Sequence, residues 1–286
     1  MKAQYDNKIT SSFLLWLDNK ILDKGEAYTT VSTQFYPNNA VFNGYYTYSS
    51  PYKQIVADRS ITGATVFTGV YINNTIVGTG TSGLRSIDYN NGNLYFSGAL
   101  PASTIVSGTY TIKDFNVVLT DIPEERLLFE TKFSPKPRTA QTATGLPPDG
   151  LPFPIIFIRT ISSENEPFEF GGTDLTRNMY RILVLADSQF AQDGVNSILR
   201  DQKRAYVPIL EPGEFPFNAL GYATGYNYTG LTDGKITSNN AAYIDGVYVA
   251  RFNQNQFSQQ IREVNPIAFQ SIIDIELTKD RQPNSA

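Results

Sequence analysis

The sequence has 286 residues, with 23 Lys plus Arg against 27 Asp plus Glu, a formal charge of -4, and neither histidine nor cysteine. Without imidazole or thiol it holds no Ser-His-Asp or Cys-His pair, no His or Cys metal ligand, no redox cysteine and no disulfide. The small negative charge argues against a general grip on nucleic-acid phosphates.

At roughly 150 residues per domain the length suggests about two domains. Charged residues make up only 17%, and Asn, Gln, Ser and Thr supply the remaining polarity. With 18 Tyr, 18 Phe, 21 Gly and 16 Pro, the composition favours strands punctuated by turns.

From Asn7 to Asp23, Ile9, Phe13, Trp16, Leu17 and Ile21 recur at helical spacing, while Asp6, Lys8, Asp18 and Lys20 fall elsewhere and Gly25 closes the run. Such a helix docks on the chain's own sheet or on a neighbouring subunit. No apolar run near the start is long enough for a signal-peptide core or a membrane span, so a soluble, cytoplasmically made protein is expected.

The text then changes to short strands. Tyr28 to Tyr36 is strand-like. Thr65 to Ile72 and Thr75 to Thr79 flank Asn73-Asn74, and Leu84 to Tyr89 and Leu94 to Ser97 flank Asn90-Asn91-Gly92-Asn93, giving two hairpins. Thr109 to Thr120 and Arg126 to Phe133 read as further strands of an antiparallel sandwich or barrel.

From Ser134 to Pro154 prolines alternate with Thr, Ala and Gly, the pattern of a linker or of an arm laid across a neighbour; Pro147 and Pro148 lie within it. Strand text resumes at Phe153 to Thr160 and Tyr180 to Ala186. Asp187 or Ser188 then caps a helix with Ala191, Val195, Ile198 and Leu199 on its apolar face. Strands follow at Ala205 to Leu210, Ala242 to Phe252 and Phe269 to Leu277. A long Gly-, Tyr- and Asn-rich loop from Phe215 to Thr237 has the length of a functional or interface-forming segment. The fold class is thus α+β and beta-rich: an N-terminal helix over 1–27, an antiparallel domain over 28–133, a linker or arm over 134–152, and over 153–286 a mixed sheet with one packed helix.

Motif matches dissolve on context. Gly78 to Gly83 fits GxGxxG but leads into a strand, not a helix whose amides would face a pyrophosphate. Ser50-Pro51-Tyr52-Lys53 fits SxxK without its helix or partner motif. Asp88 to Asn93 lacks the distal carboxylate of a calcium loop, because position 99 is Ala. The acid groups Glu124 with Glu125, and Glu164, Glu166 and Glu169, read as solvated charge before a glycosidase pair. Arg200, Lys203 and Arg204 complement a helix C-terminus. No cofactor and no metal site is expected.

The strand FPIIFIRT (Phe153 to Thr160), the crossing with Phe170-Gly171-Gly172, the strand MYRILVLADS (Met179 to Ser188), the helix with Ile198 and Leu199, and the closing strand FQSIIDIEL (Phe269 to Leu277) together resemble a tailed-bacteriophage neck or tail-terminator subunit. The resemblance covers about half the chain; the antiparallel domain departs from it. It implies a non-enzymatic virion protein, assembled in the host cytoplasm as a homo-oligomeric ring at the head-tail interface. The partners implied are other neck, connector and tail proteins, with DNA passing through the lumen unheld and no membrane contact. Candidate oligomer contacts are Phe13, Trp16, Pro147, Pro148, Tyr222, Tyr226 and Tyr228. The alternative is a glycan-binding tail-fibre, baseplate or decoration protein, in which aromatic faces stack on sugars.

Overall fold

A computed structural model describes residues 4–42, 44–129, 133–135, 151–167, 172–215, 225–232, 240–251 and 269–281. The chain opens with α1 (Tyr5–Gly25), which ends where Glu26 adopts a left-handed conformation at φ 45°. There follow β1 (Tyr28–Phe42), β2 (Tyr45–Ser49), β3 (Gly69–Ile72), β4 (Thr75–Gly78), β5 (Leu84–Asp88), β6 (Asn93–Phe96), β7 (Val106–Lys113) and β8 (Asn116–Leu119). Helix α2 (Glu124–Phe129) precedes β9 (Phe133–Pro135), β10 (Leu151–Phe153), β11 (Ile155–Pro167) and β12 (Asp174–Ala186). Helix α3 (Gln189–Arg200), β13 (Tyr206–Pro208), the short α4 (Thr229–Thr232), β14 (Ala241–Arg251) and β15 (Phe269–Arg281) complete it.

Seven strands form an antiparallel sheet in the order β4-β3-β7-β1-β2-β6-β5, curled until nearly closed. Its bend lies in β1, which pairs with β7 through Tyr28 to Phe35 and with β2 from Tyr36 onward. The enclosed core is aromatic: Phe35, Phe67, Phe96 and Tyr110 are buried with Val70, Leu84, Leu94 and Val106. Both hairpins form as the sequence predicts. Asn73 and Asn74, at φ 47° and 68°, make the two-residue turn that matches strand twist.

The second sheet has the order β13-β14-β15-β12-β11-β8 and is antiparallel except where β8 runs parallel to β11. Side-chain alternation sends Ile156, Ile158, Ile182, Val184, Ile273, Ile275 and Leu277 to one face, where α1 and α3 cover them. Ser188 caps α3 by accepting from the Ala191 amide, and Val195 and Leu199 point into this core. Helix α1 is enclosed nearly all round: Ile9, Phe13, Leu14, Leu15, Trp16, Leu17, Ile21 and Leu22 are all buried. Even Ser12 is internal, donating to the Lys8 carbonyl at 2.6 Å and accepting from the Leu210 amide at 2.8 Å.

Two strand readings are corrected. The run Thr109 to Thr120 is two strands in two different sheets, because the chain turns at Asp114-Phe115, with the Asp114 amide bonded to the Ala27 carbonyl and Phe115 buried. Arg126 to Phe133 is not one strand, since residues 124–129 are helical and Leu127 and Leu128 anchor α2 on the sheet; six residues of apolar text do not separate the two periods. Helix α1 docks on the chain's own sheet, the first of its two readings, beside α3 on one face of the six-stranded sheet, and β8 and α2 join that sheet from ahead of the proline-rich segment.

Candidate functional site

Among the described residues, the face of the six-stranded sheet opposite α1 and α3 is only partly covered. Near β8, α2 caps an apolar island of Ile155, Phe157, Leu183 and Leu185. Farther along the same strands the face becomes ionic. Arg159, Arg181, Asp274 and Tyr248 are direct cross-strand partners on β11, β12, β15 and β14, so they form one row. Arg181 grips Asp274 at two points, 2.7 and 3.0 Å, and lies 3.7 Å from Glu124, which also takes Arg159 at 3.0 Å. A second set joins Arg177 to Glu276 at 3.1 Å and to Glu166 at 3.2 Å. The Asp274 hydrogen bond raises the Arg181 guanidinium above its ordinary pKa, and the Glu166 charge does the same for Arg177. Between these ions stand exposed apolar groups, Met179 at 37% and Tyr248 at 64%.

Beside this face runs the β11–β12 hairpin. Strand β8 covers β11 only over Ile155 to Ile158. From Thr160 to Pro167, β11 is exposed, and among the described residues no strand pairs with its edge away from β12. Ile161 sits at a bulge on this edge and is 43% exposed. Glu164, Glu166 and Pro167 guard the edge against indiscriminate pairing. On the hairpin's other face, toward the start of α1, lies a polar pocket of about 520 Å³. There Ser163 donates to Asp6 at 3.0 Å and Arg281 stacks over the Tyr5 ring at 4.0 Å. Burial pushes the Tyr5 hydroxyl up to about 12.

A separate cluster is fully internal. The Lys113 ammonium of β7 meets Asp18 Oδ2 of α1 at 2.6 Å, with side chains 3% and 1% exposed. The Tyr228 hydroxyl donates to the same oxygen, the Lys113 Nζ lies 3.9 Å from the Tyr226 ring centre, and the Tyr226 hydroxyl donates to the Val117 carbonyl at 2.8 Å. The Tyr228 amide donates to Asp58. Burying each ion costs several kcal/mol, which only good geometry offsets.

Four of the sequence-predicted contact residues are therefore inside the chain. Phe13 and Trp16 are buried side chains of α1 itself, with ring centres 5.9 Å apart, and Tyr226 and Tyr228 belong to the Asp18–Lys113 cluster. The sequence alone does not separate the two cases, because an apolar helical stripe looks alike whether its own sheet or a neighbour's covers it; the large apolar groups exposed near this face include Ile161, Met179 and Tyr248. Pro147, Pro148 and Tyr222 lie outside the described residues, as does Glu169. Glu124 is an ion-pair partner and Glu164 is exposed across from Arg177. Ser50 is buried, bonded to Tyr110 and to the Tyr52 amide. Gly78 to Gly83 forms the turn between β4 and β5, and Asp88 accepts from Asn91 within its own turn. Among the described residues no acidic cluster is arranged to hold a metal ion, and no helix is long and apolar enough to cross a membrane.

Compared with known proteins, the chain matches no family model and no curated protein.

Proposed function

We propose that this chain is a structural subunit that joins copies of itself through the β11–β12 hairpin and the adjoining ion-paired face, forming a ring at the neck of a tailed-phage particle. The observation that carries the reading is the hairpin: among the described residues, β11 from Thr160 to Pro167 has an unpaired edge away from β12, next to a part of the sheet face that no described helix covers. An open strand edge supplies backbone hydrogen bonds to a second chain, and a face of paired ions with Met179 and Tyr248 among them fits a polar-tolerant contact. The order of strands and helix in the second half supports the phage setting by resemblance. A head-to-tail contact of this kind closes into a ring when the rotation between copies permits.

The test is the native mass of the purified chain over a concentration series, with negative-stain images of the largest species. A discrete multimer with an open centre is expected, and Ile161→Glu with Met179→Glu should shift it toward monomer without lowering thermal stability. A monomer at high micromolar concentration overturns the reading; saturable binding on a glycan array by that monomer would put sugar recognition by the exposed tyrosines in its place.

A further inference from the structure

The Asp18–Lys113 cluster is more than an ion pair can use. Asp18 Oδ2 accepts from both Lys113 and Tyr228, yet Oδ1 is buried with no hydrogen-bond partner. A carboxylate kept for its charge normally has both oxygens satisfied, since a buried lone pair left bare is penalised. The Lys113 amine, 2.6 Å from Oδ2, lies no farther than about 3.8 Å from Cγ, given a C–O bond of about 1.2 Å. That approaches the separation from which a positioned nucleophile reacts.

We propose that Asp18 and Lys113 are a self-modification site, at which the Lys113 amine and the Asp18 carboxyl condense to a side-chain amide that links α1 to β7. Burial prepares both groups. It pushes the Asp18 carboxyl above the usual carboxylate range despite the Lys113 charge, and it pushes the Lys113 amine below its ordinary value. Both shifts favour the neutral acid and the neutral amine, the forms that react.

The step balances without any added reagent. A proton passes from the ammonium to the carboxylate, leaving a neutral amine and a carboxylic acid protonated on Oδ1. Nζ attacks Cγ, and the charge that develops on Oδ2 is met by the Tyr228 hydroxyl. A proton from nitrogen then moves to Oδ1, the Cγ–Oδ1 bond breaks and one water leaves. The product carries a single oxygen, Oδ2, still accepting from Tyr228. The oxygen that had no partner is the one expelled, and two buried charges disappear with it. The Tyr226 ring over the amine shields the centre from solvent.

Intact mass spectrometry of the denatured full chain tests this. The expected mass is that of the sequence less one water, with the peptides containing Asp18 and Lys113 recovered joined after digestion. Lys113→Arg, prepared identically, should show its full sequence mass; if it does not fold, Asp18→Leu with Lys113→Met removes both groups together and serves as the unlinked reference. A full sequence mass for the wild-type chain after prolonged incubation in the folded state overturns the proposal. So does a water loss that maps elsewhere, for example to cyclisation at Asp193-Gly194.

Discussion

Arg181 on β12 and Asp274 on β15 face each other directly across the ladder and are joined at both guanidinium nitrogens, at 2.7 and 3.0 Å. Both are about one-third exposed, so the pair is partly screened by solvent. Asp274→Ala should lower stability by about 1 kcal/mol, read as a shift in the urea midpoint with an unchanged slope. Arg181→Lys should lose nearly as much, because a single ammonium cannot make the two-point contact.

Trp16 reports on where α1 is docked. It is the one tryptophan and is 3% exposed within the chain's own core. Its fluorescence should therefore resist iodide quenching equally at every protein concentration. Quenching that grows on dilution would place the indole at a contact between copies. Phe13→Ala, next to it, should cost about 3–5 kcal/mol by opening a cavity.

Alkaline pH should unfold the protein through its tyrosines. Burial raises the hydroxyls of Tyr110, Tyr180, Tyr226 and Tyr228 above the ordinary value of 10.0, and Tyr5 to about 12. A group whose folded pKa is raised contributes stability that is present below its unfolded pKa and is lost as pH climbs through the folded one. Stability should hold up to about pH 10 and fall above it. Tyrosinate absorbance should appear in two stages, exposed rings first and the buried set only with loss of the fold; a single reversible stage contradicts the burial.

Turn chemistry offers a paired test. Asn74 stands at φ 68° in the β3–β4 turn, where glycine is preferred, so Asn74→Gly should stabilise by roughly 0.5 kcal/mol. Gly92 is at φ 67° and a Cβ there would run into the Tyr52 carbonyl oxygen, so Gly92→Ala should destabilise by about 2 kcal/mol or more. Thermal melts of the two variants decide both signs.

What could be read in the sequence was whatever is set within a few residues. Asn73-Asn74 marks its hairpin, Ser188 marks the start of α3, and the period around Ile9 to Ile21 marks α1. Contacts set by distant pairing left no local sign. Asp18 reads as a solvated charge beside the apolar stripe, yet it is internal because Lys113, 95 positions away, comes to meet it. The run from Thr109 to Thr120 conceals a change of sheet, since two mostly buried strands are parted there by only Asp114-Phe115, with no glycine or proline to mark the turn. The hairpin edge was legible only as polar text: Ser162 to Pro167 has no apolar alternation to announce a strand, and β12 supplies the pairing that makes it one.

Helix α1 precedes all the strands described, yet most of the surface it lies on is built from strands after position 115, ending with β15, with Lys113 of β7 an exception. Ribosomal synthesis therefore delivers the helix long before its bed exists, while β1 to β7 are contiguous and can close around their aromatic core as soon as they emerge. Until β15 is made, a growing chain carries an apolar helix whose bed is incomplete.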